Sequence, residues 1–225
     1  MNMVKTVGVI TIGQTPRSDM IPAIRDFLPK DTKIIEKGVL DGRSELEILG
    51  FSPELGQTTL ISRLNNGKSA VMAKEKILPI IQSLIDDLHQ DNVSLIILAC
   101  TGKFPLFRSN IPIIYPDYLL NHVVKGLFRE GLMGVIVPLP EQAESIIHKW
   151  KDAGMTTIPE TCSPYSFEET DMIKAIKQLD PYPIKAIVLD CMGYTEEMKM
   201  LAQSYTTKPV LLSRNIIYKT SAEIL

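Results

Sequence analysis

Two short stretches share a pattern that suits proton chemistry: "LIILACTG" (95–102) and "AIVLDCMG" (186–193). Each is an apolar run closing on a cysteine, Cys100 or Cys191, with a glycine two residues further on, Gly102 or Gly193. A thiol titrates near pH 8.5 in water, about one unit from the pH at which enzymes work, so it serves as base or acid when its surroundings adjust it. Two such groups facing one carbon remove a proton from one side and return one to the other, as inversion or isomerisation beside a carboxylate requires. Cysteine is also among the most buried residue types, and an isolated one at a strand end reads as core. Duplication separates Cys100 and Cys191 from Cys162, whose surroundings, "PETCSPY", have no counterpart and read as structural.

A carboxylate needs donors. "TIGQTPRSD" (11–19) leaves an apolar run at Gly13, and Pro16 and Ser18 suit a helix start. Gln14 and Thr15 offer hydrogen bonds and Arg17 a bidentate clamp; the alternative is a capping loop with a solvated arginine. Thr101, Gly102 and Gly193 follow the cysteines, and a residue without Cβ lets backbone N–H groups approach an anion. Helices expected near Pro105 and Thr195 would add their positive ends. In "LDGRSELE", Asp41 and Arg43 read as a solvated turn. The Gly-x-x-x-x-Gly-Lys pattern is missing, and no dinucleotide fingerprint follows a strand.

The elements that must position these residues alternate. Continuous apolar runs predict strands at Val4–Ile12, Lys33–Val39, Val93–Ala99, Ile111–Tyr115, Met133–Val137, Thr156–Ile158, Ile184–Leu189 and Pro209–Leu212. Amphipathic segments lie between them, so the class is α/β with parallel sheets. Ser44/Glu47 and Ser166/Glu169 have capping-box spacing. Pro79 interrupts the helical "AKEKILPIIQSLIDDLHQ", and "PEQAESIIHKWKDAG" runs from Pro140 to Gly154. Asn66-Gly67 between alternating runs predicts an inserted β-hairpin near 58–72.

The chain also echoes itself. "VGVITIGQTP" (7–16) answers to "MGVIVPLPEQ" (133–142), the two cysteine stretches answer to each other, and each is followed by a strand opening at a proline, Pro112 or Pro209. Two α/β halves of one design, related by a pseudo-two-fold, are expected, with a cleft between them where strand carboxyl ends meet a ligand. In that expectation the two thiols stand on opposite walls.

Composition narrows the classes. The 225 residues carry a formal charge of −2, with no basic stripe that would point to nucleic acid. The first apolar run is too short to span a membrane and lacks a cleavage pattern for secretion. Three cysteines do not make a disulfide framework, which fits a reducing cytoplasm, and three scattered histidines without C-x-x-C indicate no zinc site. His148 and Trp150 fall within an amphipathic helix, and His122 follows an apolar stretch; neither histidine sits in a triad pattern.

With "VGVITIGQTPR", "LDGRSELE", "NNGK" followed by "EKILP", "GVIVP" and "LDCMGY…PVLLSR" in view, the sequence resembles the AroM family. More distantly it is similar to the cofactor-independent aspartate/glutamate racemase superfamily, which includes hydantoin racemases, maleate isomerases and arylmalonate decarboxylases. The resemblance implies two Rossmann-like domains that exchange their C-terminal elements, 1–112 with 208–225 and 113–207. It implies catalytic cysteines at Cys100 and Cys191, a small carboxylate as ligand, and no metal, pyridoxal phosphate or nicotinamide. It leaves room for a homodimer. Racemases of that group follow the first cysteine with Asn-Thr and the second with Thr-His, where this chain has Thr101-Gly102 and Met192-Gly193. Asp190 adjoins Cys191, and a nearby anion disfavours a thiolate, although in a strand the two side chains point to opposite faces. The expected activity is therefore racemase-, isomerase- or decarboxylase-type, with a non-catalytic carboxylate-binding protein as the alternative.

Overall fold

The computed structural model describes residues 5–225. It divides into two compact units, one running to Pro116 and taking in Ile217–Leu225, the other Asp117–Ile216. The chain leaves the second unit inside its last helix, whereas the sequence suggested a boundary at residue 208.

The first unit contains β1 (Thr6–Thr11), α1 (Ile21–Arg25), β2 (Lys33–Gly38), α2 (Glu45–Leu49), β3 (Thr59–Arg63), β4 (Ser69–Ala73), α3 (Lys74–Gln90), β5 (Leu95–Leu98) and β6 (Ile113–Ile114). Its parallel sheet has the order β2-β1-β5-β6. After α4 (Pro116–Phe128), whose first residue ends the first unit, the second unit contains β7 (Leu132–Val137), a 3₁₀ turn at Pro140–Gln142, α5 (Ala143–Asp152), β8 (Thr156–Thr161), α6 (Glu169–Leu179), β9 (Ile187–Leu189), α7 (Glu196–Ser204), β10 (Val210–Leu212) and the first turn of α8 (Ser213–Ala222), whose remainder belongs to the first unit. Its parallel sheet, β8-β7-β9-β10, repeats the order of the first, with the echoed strands β1 and β7, β5 and β9, and β6 and β10 in matching places.

The repeat reaches the core. Gly8 in β1 and Gly134 in β7 are equivalent, and each leaves space for a leucine from the helix before the cysteine strand. A Cβ at Gly8 would lie 2.6 Å from Leu88 Cδ1, and one at Gly134 2.8 Å from Leu179 Cδ1. A larger residue at either place would push α3 or α6 off its sheet.

The predicted hairpin is present as β3 and β4, antiparallel, with Gly67 in the left-handed region at φ +84°. Ser44 and Glu47 form a reciprocal capping box on α2. Other expectations need correction. The Ser166/Glu169 box does not form: α6 starts at Glu169 after an N-cap with no side-chain bond, and the Ser163 hydroxyl takes the N–H groups of Tyr165 and Ser166. No helix forms at Pro105; residues 103–110 are irregular. β8 continues through Pro159 because it is an edge strand, where a missing N–H leaves no ladder bond unmade. β9 is shorter than expected, beginning at Ile187. Of the first predicted strand, Val4 lies outside the described residues. α3 runs on through Pro79.

Candidate active site

Both cysteines lie two residues beyond the carboxyl end of a central strand, Cys100 after β5 and Cys191 after β9. Each chain segment then turns so that the glycine N–H points back at the sulfur: Gly102 N to Cys100 Sγ and Gly193 N to Cys191 Sγ, both 3.4 Å. A donor aimed at sulfur favours its anionic form. Both glycines are also closely packed on the side where a Cβ would stand. A Cβ at Gly102 would lie 2.8 Å from Leu60 Cδ2 of the hairpin, and one at Gly193 2.8 Å from the Tyr165 ring. Thr101 is buried beside Cys100.

The surroundings of the two sulfurs differ. Cys100 is partly exposed and packs against the core of the first unit near Phe104. Cys191 is 9% exposed, with the Tyr165 hydroxyl 3.4 Å from its sulfur. Beyond it, Thr195 caps α7 by accepting from Met198 N, so a helix start follows Cys191. Ser213 Oγ donates to the Cys191 carbonyl at 2.9 Å. Cys162 is buried at the end of β8, where burial, followed by the Asp171 charge, pushes its thiol up to about 12.

Asp190 has an unforeseen partner. Its Oδ2 accepts from Lys149 Nζ at 2.6 Å and from Trp150 Nε1 at 2.8 Å, all three buried. The carboxylate next to Cys191 is thus paired behind the strand. Asp117, at the start of α4, is buried nearby with Oδ1 unbonded. Burial raises its pKa, against the pull of Lys149 and with a further push from Asp190. Sequence reasoning did not single out Lys149. Ile146, Lys149 and Trp150 share the buried face of α5 at i, i+3, i+4 spacing, and a lysine inside an apolar stripe was the available signal. Tyr165 carried no local signal.

The expected carboxylate ligands after β1 are tied to one another. Arg17 is 3% exposed; Nε and Nη2 reach both Asp19 oxygens at 2.8 Å, and Nη1 reaches Thr11 and Ser62. Thr15 gives its N–H and hydroxyl to Asp41, at 2.7 and 2.6 Å. Gln14 donates to the Leu40 carbonyl and accepts from Asn65 N. Asp41, read as part of a solvated turn, also holds Gly38 N, and Arg43 donates to the Val39 carbonyl. These side chains bind the β1 loop to the β2 loop and the hairpin. A pocket of about 280 Å³ lined by Gln14, Arg17, Asp19, Arg63 and Asn65 opens beside them.

The family model described as AroM protein matches residues 7–225. The chain belongs to the AroM family. Curated proteins give no match to this AroM chain. Solved structures do: glutamate racemase from Francisella tularensis in complex with D-glutamate aligns at TM-score 0.65 and 16% identity, over 98% of this chain and 81% of that one. The maleate isomerase Iso from Pseudomonas putida S16 aligns at TM-score 0.65 and 12% identity, over 98% and 92%. An arylmalonate decarboxylase aligns at 0.61 and 12%, over 97% and 91%. At such identities the likeness establishes the two-domain racemase-like fold for this AroM protein. Among the described residues, no helix is long and apolar enough to cross a membrane.

Proposed function

We propose that this AroM protein is a cofactor-independent acid–base catalyst acting at the α-carbon of a small carboxylate, with Cys191 and Cys100 as its proton-transfer groups. The observation that carries the reading is the twinned turn: a cysteine past a central strand in each sheet, with a glycine N–H aimed at its sulfur. One sulfur, as thiolate, takes the α-proton. The electron pair left on carbon delocalises into the carboxylate, and the other sulfur, as thiol, delivers a proton. The net change is inversion or isomerisation, with no electrons gained or lost. The turns that hold Thr101, Gly102 and Gly193 receive the carboxylate beside the sulfurs. Gln14, Thr15 and Arg17 hold the β1 loop in shape instead of meeting the substrate, since their side chains are already bonded within the first unit.

The experiment is exchange in D₂O. A panel of small chiral and unsaturated acids, including glutamate, maleate and an arylmalonate, is followed by NMR for deuterium at the α-carbon, for isomerisation and for loss of CO₂. Exchange that falls by at least about 10²-fold in Cys191→Ser and in Cys100→Ser supports the reading. Saturable binding of an acid with no exchange would establish the carboxylate-binding alternative in its place.

A further inference from the structure

We infer that the buried Lys149–Asp190 pair is a positioning element for Cys191, setting the charge behind its strand and thereby how readily its thiol ionises. This rests on the proposed role of Cys191. A buried ion pair adds little stability over an apolar pair of the same size, because removing two charges from water costs about what their attraction returns. Packing alone therefore does not explain a lysine in the apolar stripe of α5. The geometry ties the pair to the thiol. Asp190 and Cys191 are consecutive, and the segment is fixed on both sides, by Asp190 N donating to the Ile136 carbonyl at 2.9 Å and by Ser213 Oγ on the Cys191 carbonyl. Trp150 shares the carboxylate oxygen with Lys149, so the Asp190 side chain is held against the face of the sheet covered by α5.

Other charged or titratable groups face this region from the elements around it. Tyr165 touches the sulfur, and Tyr194 lies within its field. Cys162 and Asp171 stand at the β8 end and on α6. Asp117 looks toward Lys149 and Asp190 from α4, while Arg214 lies near Glu197 at α7. Within this set, Lys149 and Asp190 are the buried charges joined directly to the residue before the thiol, and substitutions there change the local charge without touching the sulfur.

The test is the pH profile of Cys191 alkylation by iodoacetamide, read peptide by peptide in full-length protein. Asp190→Asn leaves the lysine charge behind the strand, so the midpoint falls and alkylation at pH 7 rises about three- to tenfold. Lys149→Met leaves the carboxylate, so the midpoint rises and the rate falls by a similar factor. The double variant returns close to the unmodified profile, which separates a charge effect from damage to packing. If Lys149→Met does not fold, the near-isosteric Asp190→Asn and the double variant carry the test. An unchanged midpoint in Asp190→Asn overturns the inference while leaving acid–base catalysis to be judged by deuterium exchange. No alkylation of Cys191 at any pH overturns it as well. Loss of exchange with a shifted midpoint intact would instead count against the proposed reaction alone.

Discussion

The two units share a sheet order, a glycine under a leucine, and a thiol met by a glycine N–H, yet they finish the loops around the thiol differently. In the first unit, the loop after β1 is held by the Arg17–Asp19 pair and by Thr15 on Asp41, and the inserted hairpin lays Leu60 over Gly102. In the second, the loop after β7 is a 3₁₀ turn closed by Gln142 Oε1 on Leu139 N, a tyrosine lies over Gly193, and a capped helix follows the cysteine. One copy uses charge to stiffen a loop and apolar bulk beside its thiol. The other places a hydroxyl on the thiol and charge behind it. A duplicated backbone thus places its two thiols in different electrostatic surroundings, the kind of difference that the proposed acid and base roles require.

The comparison can be broken first at its strongest point. Asp19→Ala should cost the first unit about 3 kcal/mol, because it strands a buried guanidinium; urea denaturation reads it. Burial pushes the Asp19 carboxyl up, but the Arg17 hydrogen bond and charge outweigh it and hold the carboxyl below its usual range. The pair's contribution is then complete above the pKa of an unfolded aspartate and is lost as pH falls through the lower folded value. The deficit of the variant should therefore shrink on acidification below about pH 4. A constant deficit would show that Asp19 acts through packing.

Next comes the contrast among thiols. With Cys162 pushed up to about 12, iodoacetamide at neutral pH should label it at least about a hundredfold more slowly than Cys100. Comparable rates would remove the distinction between the strand-end thiols and an ordinary core cysteine. The smallest effect is expected at Thr195, the α7 cap that the first unit lacks. Thr195→Ala should cost about 1 kcal/mol and slow Cys191 labelling without altering Cys100, since it loosens one helix start only.

Much of the architecture was readable because it depends on local patterning. Apolar runs and amphipathic stretches gave the parallel sheets, Asn66-Gly67 the hairpin, Ser44 and Glu47 the cap. The errors are equally physical. Ser166 had the right spacing for a cap, but Ser163 takes the Ser166 N–H that Glu169 would need to close the box, and the helix starts at Glu169 itself. Pro159 would end a central strand and is harmless at an edge, a distinction available only once strand order is known.

For the candidate site, the sequence by itself singled out Cys100 and Cys191 from Cys162, because repetition of a strand, a cysteine and a glycine is a property of the chain. What each polar side chain does was decided by tertiary structure. Gln14, Thr15 and Arg17 are chemically fit to hold an anion, yet Leu40, Asn65, Asp41, Asp19, Thr11 and Ser62 reach them first. Asp190 looks adverse to its neighbour until Lys149, forty-one residues earlier, is found against it. Hydrogen bonds and ion pairs go to whichever partner the fold brings within about 3 Å, and that distance is not encoded in spacing along the chain.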